Sequence, residues 1–122
     1  MSIDPLLELA RNKKLTGAQL LASEAIYTGY IIVTDGIGLY RIHVMERYDK
    51  GTQHHENVKA VVLERSYRKW ARKVRNLDQC IDMIVLRASP NEVDRARHQR
   101  NGKAYETLVI ALDEYCSIRG WV

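Results

Sequence analysis

The stretch Ser89-Pro90-Asn91-Glu92-Val93-Asp94-Arg95-Ala96-Arg97-His98-Gln99-Arg100-Asn101-Gly102-Lys103 decides how the chain is read. Ser89 is placed to cap a helix, Pro90 occupies its first turn, and Glu92 stands three residues after the cap, the capping-box pattern. The helix is brief, because Asn101-Gly102 closes it within about three turns. Upstream, Asn76 caps a helix from Leu77 to Arg87 whose apolar positions are Leu77, Cys80, Ile81, Ile84 and Val85. Downstream, a longer helix runs from Lys103 to about Ile118, with Ala104, Leu108, Ala111, Leu112 and Tyr115 on one face and Gly120 at its end. A helix, a short capped helix, a glycine turn and a longer helix make residues 77–118 a helix-turn-helix-like tri-helical unit.

Further out, residues 57–74 carry a helical stripe of Val58, Val61, Val62, Tyr67, Trp70 and Val74. Trp70 reads as a core residue because it is in register with Val62, Tyr67 and Val74. At the N-terminal end, Asp4-Pro5 opens a short helix with Leu6, Leu7 and Leu9. Thr16 and Gln19 form a second capping box, followed by Leu20, Leu21, Ala25 and Tyr27 on one side. From Ile31 the helical period is lost. Ile31-Ile32-Val33 and Leu39-Tyr40-Arg41-Ile42-His43-Val44 around the turn Thr34–Gly38 predict a small hairpin or a loop at 31–56, with a polar break at Asp49-Lys50-Gly51-Thr52-Gln53. The expected fold is mainly α, a helical bundle in a single domain over 1–122. Within it, 1–30 is an N-terminal helical pair, and 57–122 joins a basic helix to the helix-turn-helix-like unit.

The 122 residues, 46% apolar and 28% charged, have the composition of an ordinary globular chain. No apolar run approaches the roughly 18 residues a membrane span needs. Met1-Ser2-Ile3-Asp4-Pro5 lacks the regions of a signal peptide, so a cytoplasmic location with Cys80 and Cys116 as reduced thiols is expected.

The net charge of +4 is mild, but its distribution is not. Residues 58–75 carry +6 and residues 89–103 carry +2, while the remainder carries −4. The first cluster is Lys59, Arg65, Arg68, Lys69, Arg72, Lys73 and Arg75, opposed by Glu64 alone, and suits a phosphate backbone or an acidic protein groove. In a helix-turn-helix the third helix offers its N-terminal turns to the major groove while the preceding helix crosses the backbone. That assigns Arg95, Arg97 and Arg100 to phosphates, and Lys103, Tyr105, Glu106 and Thr107 to base edges of double-stranded DNA.

Leu15-Thr16-Gly17-Ala18-Gln19-Leu20, Ala22-Ser23-Glu24 with Tyr27, Tyr67-Arg68-Lys69-Trp70, and Ala111-Leu112-Asp113-Glu114-Tyr115 recur in an order that resembles a domain of alphaproteobacterial phage-type transcription regulators. That domain occurs in or near activators of gene transfer agent clusters and is similar to the Q-type antiterminators of lambdoid phages. The resemblance spans most of the chain but skips 31–57, and the family's more usual Ala-Gly-Glu is Ala22-Ser23-Glu24 here. It implies action on DNA-directed transcription, RNA polymerase as a partner, and no catalytic residues.

Other chemistry is set aside on spacing. The adjacent pair His54-His55, with His43, does not place two rings on one metal and reads as a solvated loop; Cys80 and Cys116, 36 positions apart, match no zinc pattern and read as core residues. Asp78 and Asp82 share a helix surface without an accompanying charged cluster, and Asp78 suits the positive end of its helix. Gly36-Ile37-Gly38 lacks the third glycine of a phosphate loop. No enzyme and no cofactor are expected. The expectation is a DNA-binding transcription regulator, activator or antiterminator. Its competitors are a protein-interaction module docking on an acidic host surface and a small DNA-packaging subunit.

Overall fold

The computed structural model describes residues 4–35 and 50–121. Among these, six helices and no strand are found: α1 (Pro5–Arg11), α2 (Gly17–Asp35), α3 (Lys50–Lys73), α4 (Leu77–Ile84), α5 (Pro90–Ala96) and α6 (Lys103–Arg119). The chain is a mainly α helical bundle, and no described helix is long and apolar enough to cross a membrane.

Local chemistry starts three of the helices as the sequence reading expects. The Asp4 carboxylate accepts from the Leu6 N–H at 2.9 Å, with Pro5 at the first helical position. Thr16 and Gln19 exchange side chain-to-backbone hydrogen bonds at 2.8 and 3.1 Å, satisfying two otherwise orphaned N–H groups of α2. Ser89 and Glu92 do the same for α5. Asn76 departs from expectation: it sits in the left-handed region at φ 56° and makes no side-chain cap to α4. Gly102, at φ 96°, immediately precedes α6 and does not close α5, which has already ended at Ala96.

The N-terminal and central regions are more helical than expected. Ile31-Ile32-Val33-Thr34-Asp35 is the last turn and more of α2, not the first strand of a hairpin. The propensity penalty of β-branched residues is a few tenths of a kcal/mol each. Burial of Ile32 and the packing of Tyr30 and Val33 against the core outweigh it. Lys50–Gln53, read as a polar break, opens α3, and His54 and His55 lie within that helix rather than in a loop. The proposed second strand at 39–45, with His43, and the turn glycines Gly36 and Gly38 lie outside the described residues.

α2 packs on both α3 and α6, and α4, α5 and α6 pack on one another. The core gathers Leu6, Ile26, Trp70, Met83, Ile84, Leu108, Leu112 and Tyr115. Its α2 face is Ala22, Ala25, Ile26, Gly29 and Ile32, so Leu21 (58% exposed) and Tyr27 fall outside the stripe assigned to them. In α3 the inward face is Ser66, Tyr67 and Trp70. Val61, nine residues before Trp70, lies about 180° around the helix from it, and Val61 and Val62 are each 39% exposed instead of buried. The Val58 side chain lies outside the described residues. Cys80 and Cys116 are buried free thiols, and burial pushes the Cys80 thiol up to about 12.

Candidate nucleic-acid interface

The orientation of the basic face begins with Trp70. Its ring is fully buried, packs against Tyr67 at a centroid distance of 5.8 Å, and donates its indole N–H to the Ala111 carbonyl of α6 at 2.9 Å. Because α3 is locked to α6 on that side, Arg65, Arg68, Lys69 and Arg72 emerge on the opposite side and are all exposed. Lys59, Lys73 and Arg75 are exposed as well. Among the described residues one carboxylate engages this set, Glu64, which meets Arg68 at 3.4 Å across one helical turn. That pair is about half exposed and worth little in water, so the field of the face stays positive.

The second basic cluster is differently arranged. Asp94 is buried, and its two carboxylate oxygens accept from the Gln99 side chain and from the backbone N–H groups of Gly102 and Ala104, each at 2.9 Å. Burial alone would raise its pKa; the hydrogen bonds from Gln99, Ala104 and Gly102 outweigh that and hold it below the ordinary carboxylate value. Asp94 thereby ties the end of α5 to the start of α6 and caps the latter, where the sequence shows only a glycine.

Around this turn several of the expected DNA contacts are paired within the protein. The Arg97 guanidinium forks onto Asp78 and Asp82 of α4, a charged partner that lies too far along the chain to be read from their local sequence. The Arg97 hydrogen bond is the main cause of the depressed Asp78 pKa. Arg100 pairs with Glu106 at 2.7 Å, both largely exposed. The Tyr105 hydroxyl donates to the Lys14 carbonyl at 2.6 Å, tying α6 to the α1–α2 turn. Arg95 and Lys103 are exposed and form no ion pair among the described residues.

Thr107 belongs to a different neighbourhood. A cavity of about 190 Å³ opens where the end of α3 and the α3–α4 turn meet α6. Lys73, Arg75 and Asn76 form one wall; Thr107, Ile110 and Glu114 form the other. Here the C-terminal end of the first basic cluster meets the outer face of α6. Asn76, Ile110 and Glu114 were not identified from sequence. Ile110 had a signal, being a large aliphatic residue off the apolar face of its own helix; Asn76 and Glu114 had none without knowing how α3 crosses α6.

A larger cleft, about 520 Å³, lies between the start of α2 and the end of α6, lined by Gln19, Asp113, Cys116 and Trp121 among others. It has no Lys or Arg in its lining, and Asp113 already accepts from the Gln19 amide at 2.9 Å. Of these two openings, the first has cations, Lys73 and Arg75, in its lining and the second has none. No family model, curated protein or solved structure matches the chain.

Proposed function

We propose that the chain is a DNA-binding regulator of transcription, of the phage or gene-transfer-agent type. In this reading the α4–α5–α6 unit lies on the duplex and the α3 face meets phosphates or RNA polymerase. The observation that carries it is the shared cavity, in which Lys73 and Arg75 flank the outer face of α6 at Thr107 and Ile110. A helix with cations beside its exposed face is what a groove-binding element needs, because phosphates line both edges of the groove. The paired state of Arg97 and Arg100 moves the expected phosphate contacts toward Arg95, Lys103, Lys73 and Arg75.

The test is a salt titration of binding to a mixed-sequence duplex followed by fluorescence anisotropy. If these four cations neutralise four phosphates, log K against log salt should have a slope of about −3.6. Binding that is absent, or unaltered from low to moderate salt, refutes the proposal. An occupancy map along the genome separates the two modes, since an activator peaks at a promoter and an antiterminator travels into the transcription unit with the polymerase.

A second reading rests on the half-exposed Val61 and Val62 amid Arg65, Arg68, Lys69 and Arg72. Apolar groups inside a basic face suit an acidic protein groove better than a phosphate chain. A protein-interaction module of this kind would capture its partner, RNA polymerase included, from nuclease-treated lysate and would give no mobility shift with DNA. Both surfaces operate together if the regulator contacts DNA through α6 and the polymerase through α3.

A further inference from the structure

We infer that base sequence is read by Thr107, Ile110 and Glu114, in the second and third turns of α6, and not by the first turn that the helix-turn-helix pattern nominates. This rests on the DNA-binding reading above and specifies how that site discriminates.

Three observations lead there. Two groups in the first turn of α6 are engaged within the protein: the Tyr105 hydroxyl is held by the Lys14 carbonyl at 2.6 Å, and Glu106 pairs with Arg100 at 2.7 Å, while Lys103 is exposed. Turning the Tyr105 hydroxyl to a base gives up its hydrogen bond to Lys14, and turning Glu106 to a base gives up a solvent-exposed pair of small worth. Next, Thr107, Ile110 and Glu114 fall within about 60° of one another at 100° per residue, so they form a single stripe along α6. Ile110 is 65% exposed on that stripe and lies outside the hydrophobic core. Finally, the stripe is one wall of the 190 Å³ cavity whose other wall carries Lys73, Arg75 and Asn76.

The chemistry of that pair of walls matches one edge of a major groove. A major groove is roughly 12 Å wide and admits a helix, leaving the backbone of one strand against the helix flank. Here the flank is the cavity, and Lys73 and Arg75 are the cations that would meet the phosphates of that strand. Ile110 offers an apolar surface to a thymine methyl group. Glu114 accepts hydrogen bonds only, which suits the amino group of cytosine, and the Thr107 hydroxyl serves as donor or acceptor. An acidic peptide is a poorer occupant, because Glu114 repels its carboxylates and has no proton to donate to them.

Selection from a randomised duplex library separates the alternatives, with thermal unfolding run on each variant to show that it is folded. Ile110→Ala and Glu114→Gln should each flatten the preference at one base position, the ratio of best to next base falling about tenfold, with the salt slope unchanged. The double variant Lys73→Ala/Arg75→Ala should keep the wild-type preference and reduce the salt slope by about two. Preferences that survive Ile110→Ala and Glu114→Gln but change in Lys103→Ala or Glu106→Gln overturn the inference in favour of the first turn. Wild-type protein that retains duplexes with the expected salt dependence, yet enriches no sequence, overturns this inference and leaves the DNA-binding reading standing. Wild-type protein that retains no duplex overturns both.

Discussion

Gly29 is the point at which α2 and α3 come closest, and replacing it by alanine tests the packing that orients the basic face. A Cβ built there would stand 2.6 Å from Tyr67 Cβ, 2.9 Å from the Leu63 carbonyl oxygen and 3.3 Å from Tyr67 Cγ. Carbon–carbon contacts become comfortable near ~3.5 Å, so α2 and α3 would have to part by about 0.9 Å. Neither of the two closest atoms is the far end of a flexible side chain; one is a backbone oxygen and the other is attached directly to the α3 backbone. The overpacking cost therefore belongs near the top of the usual range, about 3 kcal/mol. Alanine recovers about 1 kcal/mol over glycine in a helix interior, leaving a net loss of about 2 kcal/mol. For a chain of 122 residues that lowers Tm by roughly 8 °C. The control is Gly17→Ala in the same helix, where a Cβ meets nothing within 4 Å. It should raise stability by about 0.5 kcal/mol through the unfolded chain alone. Urea and thermal unfolding followed by circular dichroism measure both. A Gly29→Ala protein as stable as wild type, or more so, would show that the α2–α3 approach is not rigid and refute the reasoning.

Trp70→Phe should cost about 1–2 kcal/mol in urea unfolding, from the lost indole hydrogen bond to Ala111 and the partial void; a change under about 0.5 kcal/mol would mean that the α3–α6 lock lies elsewhere. Asp78 has its pKa lowered chiefly by Arg97, so the pair's stabilisation is present above the unfolded carboxylate pKa, near ~4, and is lost as pH falls through the folded value. Arg97→Met should therefore blunt the acid-side fall in urea midpoint, and an unchanged profile would count against the pairing. Cys80, with its thiol at about 12 and buried, should resist a disulfide reagent at mildly alkaline pH until denaturant is added; rapid labelling of the native protein at this position would contradict its core placement.

What was legible in the sequence is what short-range chemistry decides. The capping boxes at Thr16–Gln19 and Ser89–Glu92, the Asp4-Pro5 start and the Gly120 stop each depend on residues within about one turn, and all are present in the structure. The helical class followed from the same signals. The end of α2 was misread because the β-branched run Ile31-Ile32-Val33 has a weak local preference for strand, while burial of Ile32 is a long-range term invisible in a single sequence. Val61 and Val62 were assigned to the core for a similar reason, since apolar residues on α3 do not reveal which of them faces Trp70's partner.

The division is sharper still for the candidate interface. The sequence by itself determined that positive charge is concentrated in 58–75 and again, more weakly, in 89–103. It could not determine which of those charges remain available. Arg97 meets Asp78 and Asp82 across nineteen and fifteen positions of chain, and the Tyr105 hydroxyl meets Lys14 across ninety-one. Charge is a property of each residue and can be counted along the chain. Pairing depends on distance in space, and only the packing of the helices leaves Lys73 and Arg75 beside Ile110 while joining Arg97 to Asp78 and Asp82.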